Sequence, residues 1–385
     1  MHHLSLKIAL AALCVLATTR LATTRTFAGP LPWASVENVA SRSALDVGPE
    51  GAFVTGLNQA WLGHHYGSQW TRNFDEAEFR RLLSETSQMG GSVLRVWLFE
   101  GLTPDGLIWD DDPEKSRWGY PGRRHKVTAI TPDKLHHLEK VLEIASGQKV
   151  LIYLTLFDGN IVSQDDSQRD HRRAEWWNLL NDRFSAGRAF RENVLVPVLD
   201  VVSRHRETIY GIDLVNEINA FVGANWFDRG WDSAREFLDR WRPFIRTKAR
   251  VPVTASLGHH DAVANLLLNR LPASSVDFHD IHLYNDEGTI PLARLVRRYV
   301  ETSGRPLVLG EFGQRADRID DELQSTVTIG FIRSAHLNGL AGALAWRLSE
   351  WSTSGPSRFS YEGRGGLRPG ADAFRRESRA NLLDP

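Results

Sequence analysis

Short apolar segments alternate with amphipathic ones along most of the chain. Eight of the apolar runs are rich in Val, Ile and Leu and alternate little, which is typical of strands buried on both faces of a parallel sheet. The predicted strands lie near Phe53–Asn58, Ser92–Leu98, Lys149–Leu156, Ile209–Asn216, Val251–Ser256, Val276–Leu283, Pro306–Glu311 and Ala341–Trp346.

The segments between these strands have helical periodicity. In the clearest one, Thr131-Pro132-Asp133 supplies a cap, a proline in the first turn and an acidic residue. Apolar residues then recur at helical spacing as far as Ala145, and Gly147 is expected to end the helix. Similar stripes occur at Phe79–Leu83, Phe190–Val202, Phe237–Ile245, Leu292–Val300 and Leu323–Leu337.

Repeated strand–helix units in one domain predict an α/β fold, a single (β/α)8 TIM barrel. A doubly wound open sheet is the alternative, but Gly56-Leu57-Asn58-Gln59 after the first strand lacks the spacing of a dinucleotide-binding loop. Three long βα loops, Glu100 to Lys126, Asp158 to Ser185 and Asn219 to Asp232, are expected to rise over the active face.

Composition narrows the function. The 46 Lys and Arg residues are balanced by 47 Asp and Glu residues, so the overall charge gives no reason to expect nucleic acid as a partner. The single cysteine excludes a disulfide framework and a cysteine-rich zinc site. Thirteen tryptophans in 385 residues are an excess that needs a function.

The first 28 residues resemble a secretory signal peptide. Lys7 precedes the apolar run Ile8–Ala17, and small residues around Ala28 supply a cleavage site before Gly29. An uncleaved membrane anchor is the alternative, although the run is short for a membrane span. We therefore expect residues 29–385 to form one catalytic domain without a membrane span, secreted or periplasmic.

Polar side chains collect at the predicted carboxyl ends of the strands, where a barrel of this type places its chemistry. Singly, a strand-terminal Glu is usually just solvated. Here several strand ends contribute together, and buried charges at such a place persist only if they are paired or functional. The residues are Arg95, Trp97, Asn216, Glu217, His282, Tyr284, Glu311 and Trp346.

Two carboxylates among aromatic side chains favour hydrolysis of a glycosidic bond with retention of configuration. One carboxylate attacks the anomeric carbon, and the other protonates the leaving oxygen, so their pKa values must differ. Arg95 and a tyrosine hydroxyl are expected to keep the nucleophile ionised, and its negative charge to raise the pKa of its partner.

Over about the whole mature chain, these motifs resemble the retaining β-glycosidases of the large (β/α)8 clan. The most similar group is glycoside hydrolase family 5, the cellulase and β-mannanase family. The resemblance implies that Glu217 is the general acid/base and Glu311 the nucleophile. It also implies substrate-binding roles at or near the sugar for Arg95, Asn216, His282, Tyr284 and Trp346.

Two departures bear on the substrate. Ile218 stands where many members have a proline after the acid/base, and the third strand ends Leu156-Phe157-Asp158 where many cellulase-like members have a histidine. The phrase Leu94–Phe99 and the His282-Leu283-Tyr284 motif are more similar to mannanases than to cellulases.

Other residues are assigned less directly. His259 and Trp97 are further candidates to line the sugar site. The loop residues Trp109, Trp118, Trp176-Trp177, Trp226 and Trp231 either stack on sugar rings or fix the loops to the barrel. The histidine pairs lack the geometry of a metal site, so we expect no metal and no cofactor.

The sequence thus predicts a retaining β-glycosidase that hydrolyses a β-linked polysaccharide of the mannan or glucan type. One alternative is a carbohydrate-binding or assembly protein of an exopolysaccharide system that kept the fold and lost activity. Another is a transglycosylase, which shares the covalent intermediate and differs only in the acceptor.

Overall fold

Eight parallel strands form the central sheet, and each is paired with its sequence neighbour. The sheet order is β5-β4-β3-β2-β1-β8-β7-β6, and an isolated parallel bridge between Leu257 and Ile281 links the segment after β5 to β6. This sequential, closed order confirms the predicted barrel and excludes the doubly wound sheet. The strands are β1 Val54–Asn58, β2 Val93–Trp97, β3 Leu151–Phe157, β4 Ile209–Val215, β5 Val253–Thr254, β6 His279–Tyr284, β7 Leu307–Gly313 and β8 Gly342–Ala345.

The computed structural model describes residues 53–61, 74–99, 106–110, 127–158, 171–181, 185–315, 319–349, 351–352, 355–356 and 358–383. These residues fall within one compact unit, Leu31–Pro385. The expected signal peptide, residues 1–28, and the expected start of the domain at residue 29 lie outside the described residues. None of the described helices is both long enough and apolar enough to cross a membrane.

Helices connect the strands and cover the outside of the sheet. The α-helices are Glu76–Gln88, Pro132–Gln148, His171–Asn181, Ser185–Phe190, Val196–Arg204, Ile218–Gly223, Trp231–Ala249, Ala262–Leu267, Ala293–Ser303, Asp321–Leu337 and Pro369–Leu383. A π-helical turn at Arg191–Leu195 and a 3-10 turn at Arg206–Thr208 complete the helical segments of the described chain.

One predicted helix end is wrong. The helix that begins at Pro132 continues past Gly147 to Gln148, and the cap residue Lys149 adopts φ 58° in the left-handed region. The Lys149 amide donates to Ala145 and Ser146, so the backbone closes this helix without a glycine at that place. Thr131 precedes the helix but makes no side-chain cap hydrogen bond.

The long loops contain regular structure that the periodicity does not reveal. Leu107–Trp109 pairs with Val127–Ile130 in an antiparallel ribbon within the second βα connection. The helices His171–Asn181 and Ile218–Gly223 lie in the third and fourth connections. These short elements lack a long apolar stripe, so only the tertiary structure locates them.

Two apolar clusters hold the barrel together. The larger one fills the layer between sheet and helices. The smaller one includes Val54, Val93, Leu151, Phe278 and Val308, which come from strand starts around the sheet. Farther along β2, β4 and β6 the residues Arg95, Asp213 and Asp280 are buried although charged. The inside of the barrel is therefore apolar at the strand starts and polar farther along the strands. We call Arg95, Asp213 and Asp280 the polar layer, which lies next to the strand-end residues.

Candidate active site

Arg95 is the centre of the polar layer. Its side chain is fully buried, and its guanidinium donates to Glu311 Oε1 at 2.5 Å, Asp213 Oδ2 at 2.6 Å and Asn216 Oδ1 at 2.8 Å. A further bond runs to Asn58 Oδ1 at 3.1 Å. Burial opposes its charge, but Glu311 and Asp213 outweigh it and raise the pKa of Arg95, so the guanidinium is permanently charged.

Asp213 anchors this arrangement from below. Besides Arg95, it accepts hydrogen bonds from the Ser256 amide and hydroxyl at 3.0 and 3.1 Å. The same Ser256 hydroxyl accepts from the Glu217 amide at 2.9 Å. One buried carboxylate thus fixes both the arginine beside Glu311 and the backbone that carries Glu217.

Glu311 is held by donors on both carboxylate oxygens. Arg95 contacts Oε1, and the Tyr284 hydroxyl donates to Oε2 at 2.6 Å. Burial and the nearby Glu311 raise the pKa of Tyr284, so its hydroxyl stays a donor. Burial raises the pKa of Glu311 itself, against the opposing charges of His282 and Arg95.

Glu217 reaches the site through an unusual backbone conformation. Neighbouring residues of a strand point to opposite faces, so Asn216 and Glu217 can both serve one site only if the strand ends before Glu217. It does: β4 ends at Val215, and Glu217 adopts φ 53° and ψ 53°. For a residue with a side chain this left-handed conformation costs about 1–2 kcal/mol.

Two histidines contact the Glu217 carboxylate. His282 Nδ1 lies 3.0 Å from Oε1, and His259 Nε2 lies 3.1 Å from Oε2. The His282 side chain is fully buried, whereas that of His259 is 52% exposed. A Cβ at position 258 would overlap the Glu217 carboxylate, so Gly258 is required for this placement.

The two glutamates lie close together. Glu217, Glu311 and His282 each offer an atom within 4.8 Å of the others. The inverting arrangement needs carboxyl groups about 6.5–9.5 Å apart, whereas retention needs about 5–5.5 Å. The separation therefore fits the retaining geometry.

The expected electrostatics of the two glutamates are wrong in direction, because the pKa of Glu311 is raised and that of Glu217 is lowered. Burial raises the pKa of Glu217, but the hydrogen bond and charge of His282, with the charge of His259, outweigh it and lower that pKa. Burial also disfavours a charged His282, yet Glu311, Asp280 and Glu217 raise the pKa of His282 to about 10. These shifts favour His282 over Glu217 as the site of the proton that the pair shares.

The tryptophans divide into two groups. Trp346 is half-buried at the end of β8, and its ring centroid lies 5.7 Å from that of Trp97, with Trp61 edge-on to both. Trp97 is 2% exposed, so its position favours a supporting role behind Trp346 over direct stacking on sugar. The peptide bond between Trp346 and Arg347 is cis.

Most loop tryptophans of the described chain fix the loops. Trp176 packs edge-on against Phe157, and Trp226 packs edge-on against Phe221, and both indoles are buried. Trp109 packs edge-on against Trp176. Trp118 lies outside the described residues.

Among the described residues, the one group of three His or acidic side chains with metal-like proximity is Glu217, His282 and Glu311. It differs from the histidine pairs considered in the sequence. Both oxygens of the Glu311 carboxylate already accept hydrogen bonds, Oε1 from Arg95 at 2.5 Å and Oε2 from the Tyr284 hydroxyl. The carboxylate is therefore a poor ligand for a cation.

Direct contacts join seven of the site residues that the sequence predicted: Arg95, Asn216, Glu217, His259, His282, Tyr284 and Glu311. Four further residues contact this group and were not predicted: Asp213, Asp280, Tyr153 and Gly258. Asp213 and Asp280 had a recognisable signal, a charged residue inside an otherwise apolar strand. Gly258 had none, because its role depends on a carboxylate that is distant in sequence.

No family model matches the chain. It is 22% identical over 353 residues to a mannan endo-1,4-β-mannosidase of Cryptopygus antarcticus, covering 80% of this chain and 84% of that protein. Among solved structures it is similar to a GH5_18 protein of Streptomyces cattleya bound to Manβ1-4GlcNAc, with TM-score 0.62, 17% identity, and 85% and 80% of the two chains covered.

An exo-β-1,4-mannosidase of Opitutaceae bacterium strain TAV5 is similar with TM-score 0.60 and 16% identity, over 94% of this chain and 63% of that chain. The relatives thus include both endo-acting and exo-acting mannoside hydrolases. The predicted fold is confirmed, since the chain shares the (β/α)8 barrel of these mannoside hydrolases.

Proposed function

We propose that the protein is a retaining glycoside hydrolase that cleaves β-mannosidic bonds in a mannan-type polysaccharide or oligosaccharide. The observation that supports this most is the pair Glu217 and Glu311, with carboxylate atoms within 4.8 Å at the carboxyl ends of β4 and β7. The similarity to mannoside hydrolases supports the choice of sugar.

The reaction proceeds by double displacement. A Glu311 oxygen attacks the anomeric carbon while the bond to the leaving oxygen breaks and Glu217 gives that oxygen a proton. Water then attacks the glycosyl ester, loses a proton to Glu217 and frees Glu311 with the original configuration. The chemistry needs no cofactor.

The surrounding side chains have separate roles in this scheme. Arg95 and Tyr284 hold Glu311 in place and stabilise its charge through the bonds at 2.5 and 2.6 Å. His282 supplies the proton that Glu217 needs in the first step across the 3.0 Å contact, and it takes a proton back from Glu217 after water has given one to Glu217 in the second step. Trp346 offers an aromatic face to the sugar ring, Asn216 a polar contact, and His259 borders the leaving-group side.

Substitution of the nucleophile tests the mechanism. Glu311→Ala is expected to abolish turnover of aryl β-mannosides, since no covalent ester can form. Added azide should restore part of the substrate consumption and yield a glycosyl azide of inverted configuration. Glu301→Ala, on an exposed helix position, is the matched control and should keep full activity. Unchanged turnover in the Glu311 variant would reject the proposal.

Product analysis distinguishes the neighbouring activities. On a panel of mannan, glucomannan, β-glucan and xylan, we expect reducing sugar mainly from the mannans. Product sizes separate endo from exo action, and products longer than the substrate would identify transglycosylation. Binding without any Glu217-dependent product would favour the carbohydrate-binding alternative.

We also propose that the protein is exported. The support is the basic, apolar and small-residue order of residues 1–28. Mass spectrometry of the exported protein is expected to identify Gly29 as its N-terminal residue. Activity confined to the cytoplasm, with Met1 retained, would contradict export.

A further inference from the structure

Asp280 is a buried carboxylate that the mechanism above does not use. It is 1% exposed and lies on β6 two residues before His282, so the two side chains share one face of the strand. The Tyr153 hydroxyl donates to Asp280 Oδ2 at 2.6 Å. A buried carboxylate is costly unless a cation compensates it.

His282 is that cation. Among the described residues, its Nε2 is the one basic nitrogen within 4.0 Å of Asp280, at 3.8 Å from Oδ2. Its Nδ1, on the other side of the ring, lies 3.0 Å from Glu217 and 3.5 Å from Glu311. The imidazole therefore spans the space between Asp280 below and the two glutamates above.

The neighbouring strand is adapted to this carboxylate. A Cβ at position 310 would overlap both Asp280 oxygens, so β7 has a glycine directly before Glu311. The Gly310 carbonyl accepts from Asn58 Nδ2 at 2.9 Å, which fixes the strand at that point. The space for Asp280 and the placement of Glu311 are thus set by adjacent residues.

We propose that Asp280 is a positioning residue for catalysis, which keeps His282 an imidazolium with its Nδ1–H directed at Glu217. The inference rests on the proposed hydrolase function. By this arrangement Glu217 has a proton donor beside it before the first step, although its own pKa is lowered.

Several charged or titratable groups face His282. Glu217 follows β4, Glu311 lies on β7, and Asp280 and Tyr284 lie on its own strand. Beyond them, Tyr153 on β3 bonds Asp280, and Arg95 on β2 is paired with Asp213 on β4. The effect of the negative groups exceeds that of burial, since the pKa of His282 is raised to about 10.

Removing the charge of Asp280 lowers the proton affinity of the groups around it. The alkaline limb of kcat/KM reports the loss of the last proton from the Glu217–His282 pair. Asp280→Asn keeps the shape and deletes the charge, so this limb is expected to move to lower pH by about one unit. The measurement is the pH dependence of kcat/KM on an aryl β-mannoside.

Asp277→Asn is the matched control. Asp277 is also buried, but it is paired with Arg242 and Arg246, both at 2.6 Å. This variant should lose stability and keep the alkaline limb of the wild type. A folded Asp280→Asn protein with an unshifted limb would overturn the proposal, as would an equal shift in the Asp277 variant.

A measurement on the unmodified protein does not depend on how the variants fold. The ¹⁵N resonances of His282 are expected to report an imidazolium at about pH 8, where an ordinary histidine is neutral. A neutral ring at that pH would overturn the proposal. Because this experiment needs no substrate, it separates failure of the Asp280 assignment from failure of the hydrolase assignment, which the Glu311 variant tests.

Discussion

The two glutamates of the proposed active site are held by different kinds of groups. Glu311 is bound by Arg95 and Tyr284, which do not change charge near neutral pH. Glu217 is bound by two imidazoles, His282 and His259, and an imidazolium can pass a proton to a carboxylate. In the proposed mechanism Glu311 must stay ionised before each attack, while Glu217 must gain and lose a proton.

The two sides also differ in their connection to the fold. We call Glu311 with Arg95, Asp213 and Tyr284 the Glu311 side. Glu311 lies within β7 and accepts a hydrogen bond from the buried Arg95, which also donates to the buried Asp213. The Glu217 side lies just beyond β4, in a left-handed turn that Gly258 accommodates. Changes on the first side should therefore affect both stability and activity, and changes on the second side mainly activity.

Loss of the buried arginine should have the largest effect. Arg95→Met leaves Asp213 without its cation, so the free energy of unfolding is expected to fall by about 3–5 kcal/mol. Loss of a donor to Glu311 should also reduce kcat by about 10²–10³-fold. Urea unfolding and aryl β-mannoside kinetics measure both.

Arg204→Met is the matched control for that variant. Arg204 is 54% exposed and pairs with Glu139 on the surface, so its loss should cost less than about 1 kcal/mol. Equal destabilisation of the two variants would contradict the role of Arg95 as a buried anchor.

Crowding the Glu217 side should reduce activity with little loss of stability. In Gly258→Ala the new methyl group displaces the Glu217 carboxylate, and kcat/KM is expected to fall by about 10²-fold. Gly147→Ala, where the added carbon meets nothing within 4 Å, is the control. Wild-type kcat/KM in the Gly258 variant would show that Glu217 does not need its observed position.

Removal of one hydroxyl from the Glu311 side should have the smallest effect. Tyr284→Phe deletes the hydrogen-bond donor to Glu311 Oε2. A hydrogen bond to a charged group contributes about 1.5–3 kcal/mol, so the activation free energy is expected to rise and kcat to fall about tenfold or more. That donor favours ionised Glu311, so without it the pKa of Glu311 rises. The acidic limb of kcat/KM should therefore move to higher pH, and a shift to lower pH would contradict the assignment.

The sequence alone predicted the barrel because its eight strands are apolar runs buried on both faces, a property that each segment shows locally. It also placed Arg95, Glu217, His282, Tyr284 and Glu311 at strand ends, because parallel strands of a barrel bring these ends to one rim. The short helices of the loops and the helix end at Gln148 were not predicted, since they depend on contacts and backbone conformations that no local pattern encodes.

What only the tertiary structure decided is how the charges at that rim interact. The sequence predicts one arginine and one tyrosine hydroxyl beside the nucleophile, and a raised pKa for Glu217. Folding places His282 and His259 on Glu217 and puts Asp280 beneath His282, and the pKa of Glu217 is lowered instead. Electrostatic energies depend on distance and burial across strands far apart in the chain, so residue types and spacing identify the groups but not where the proton lies.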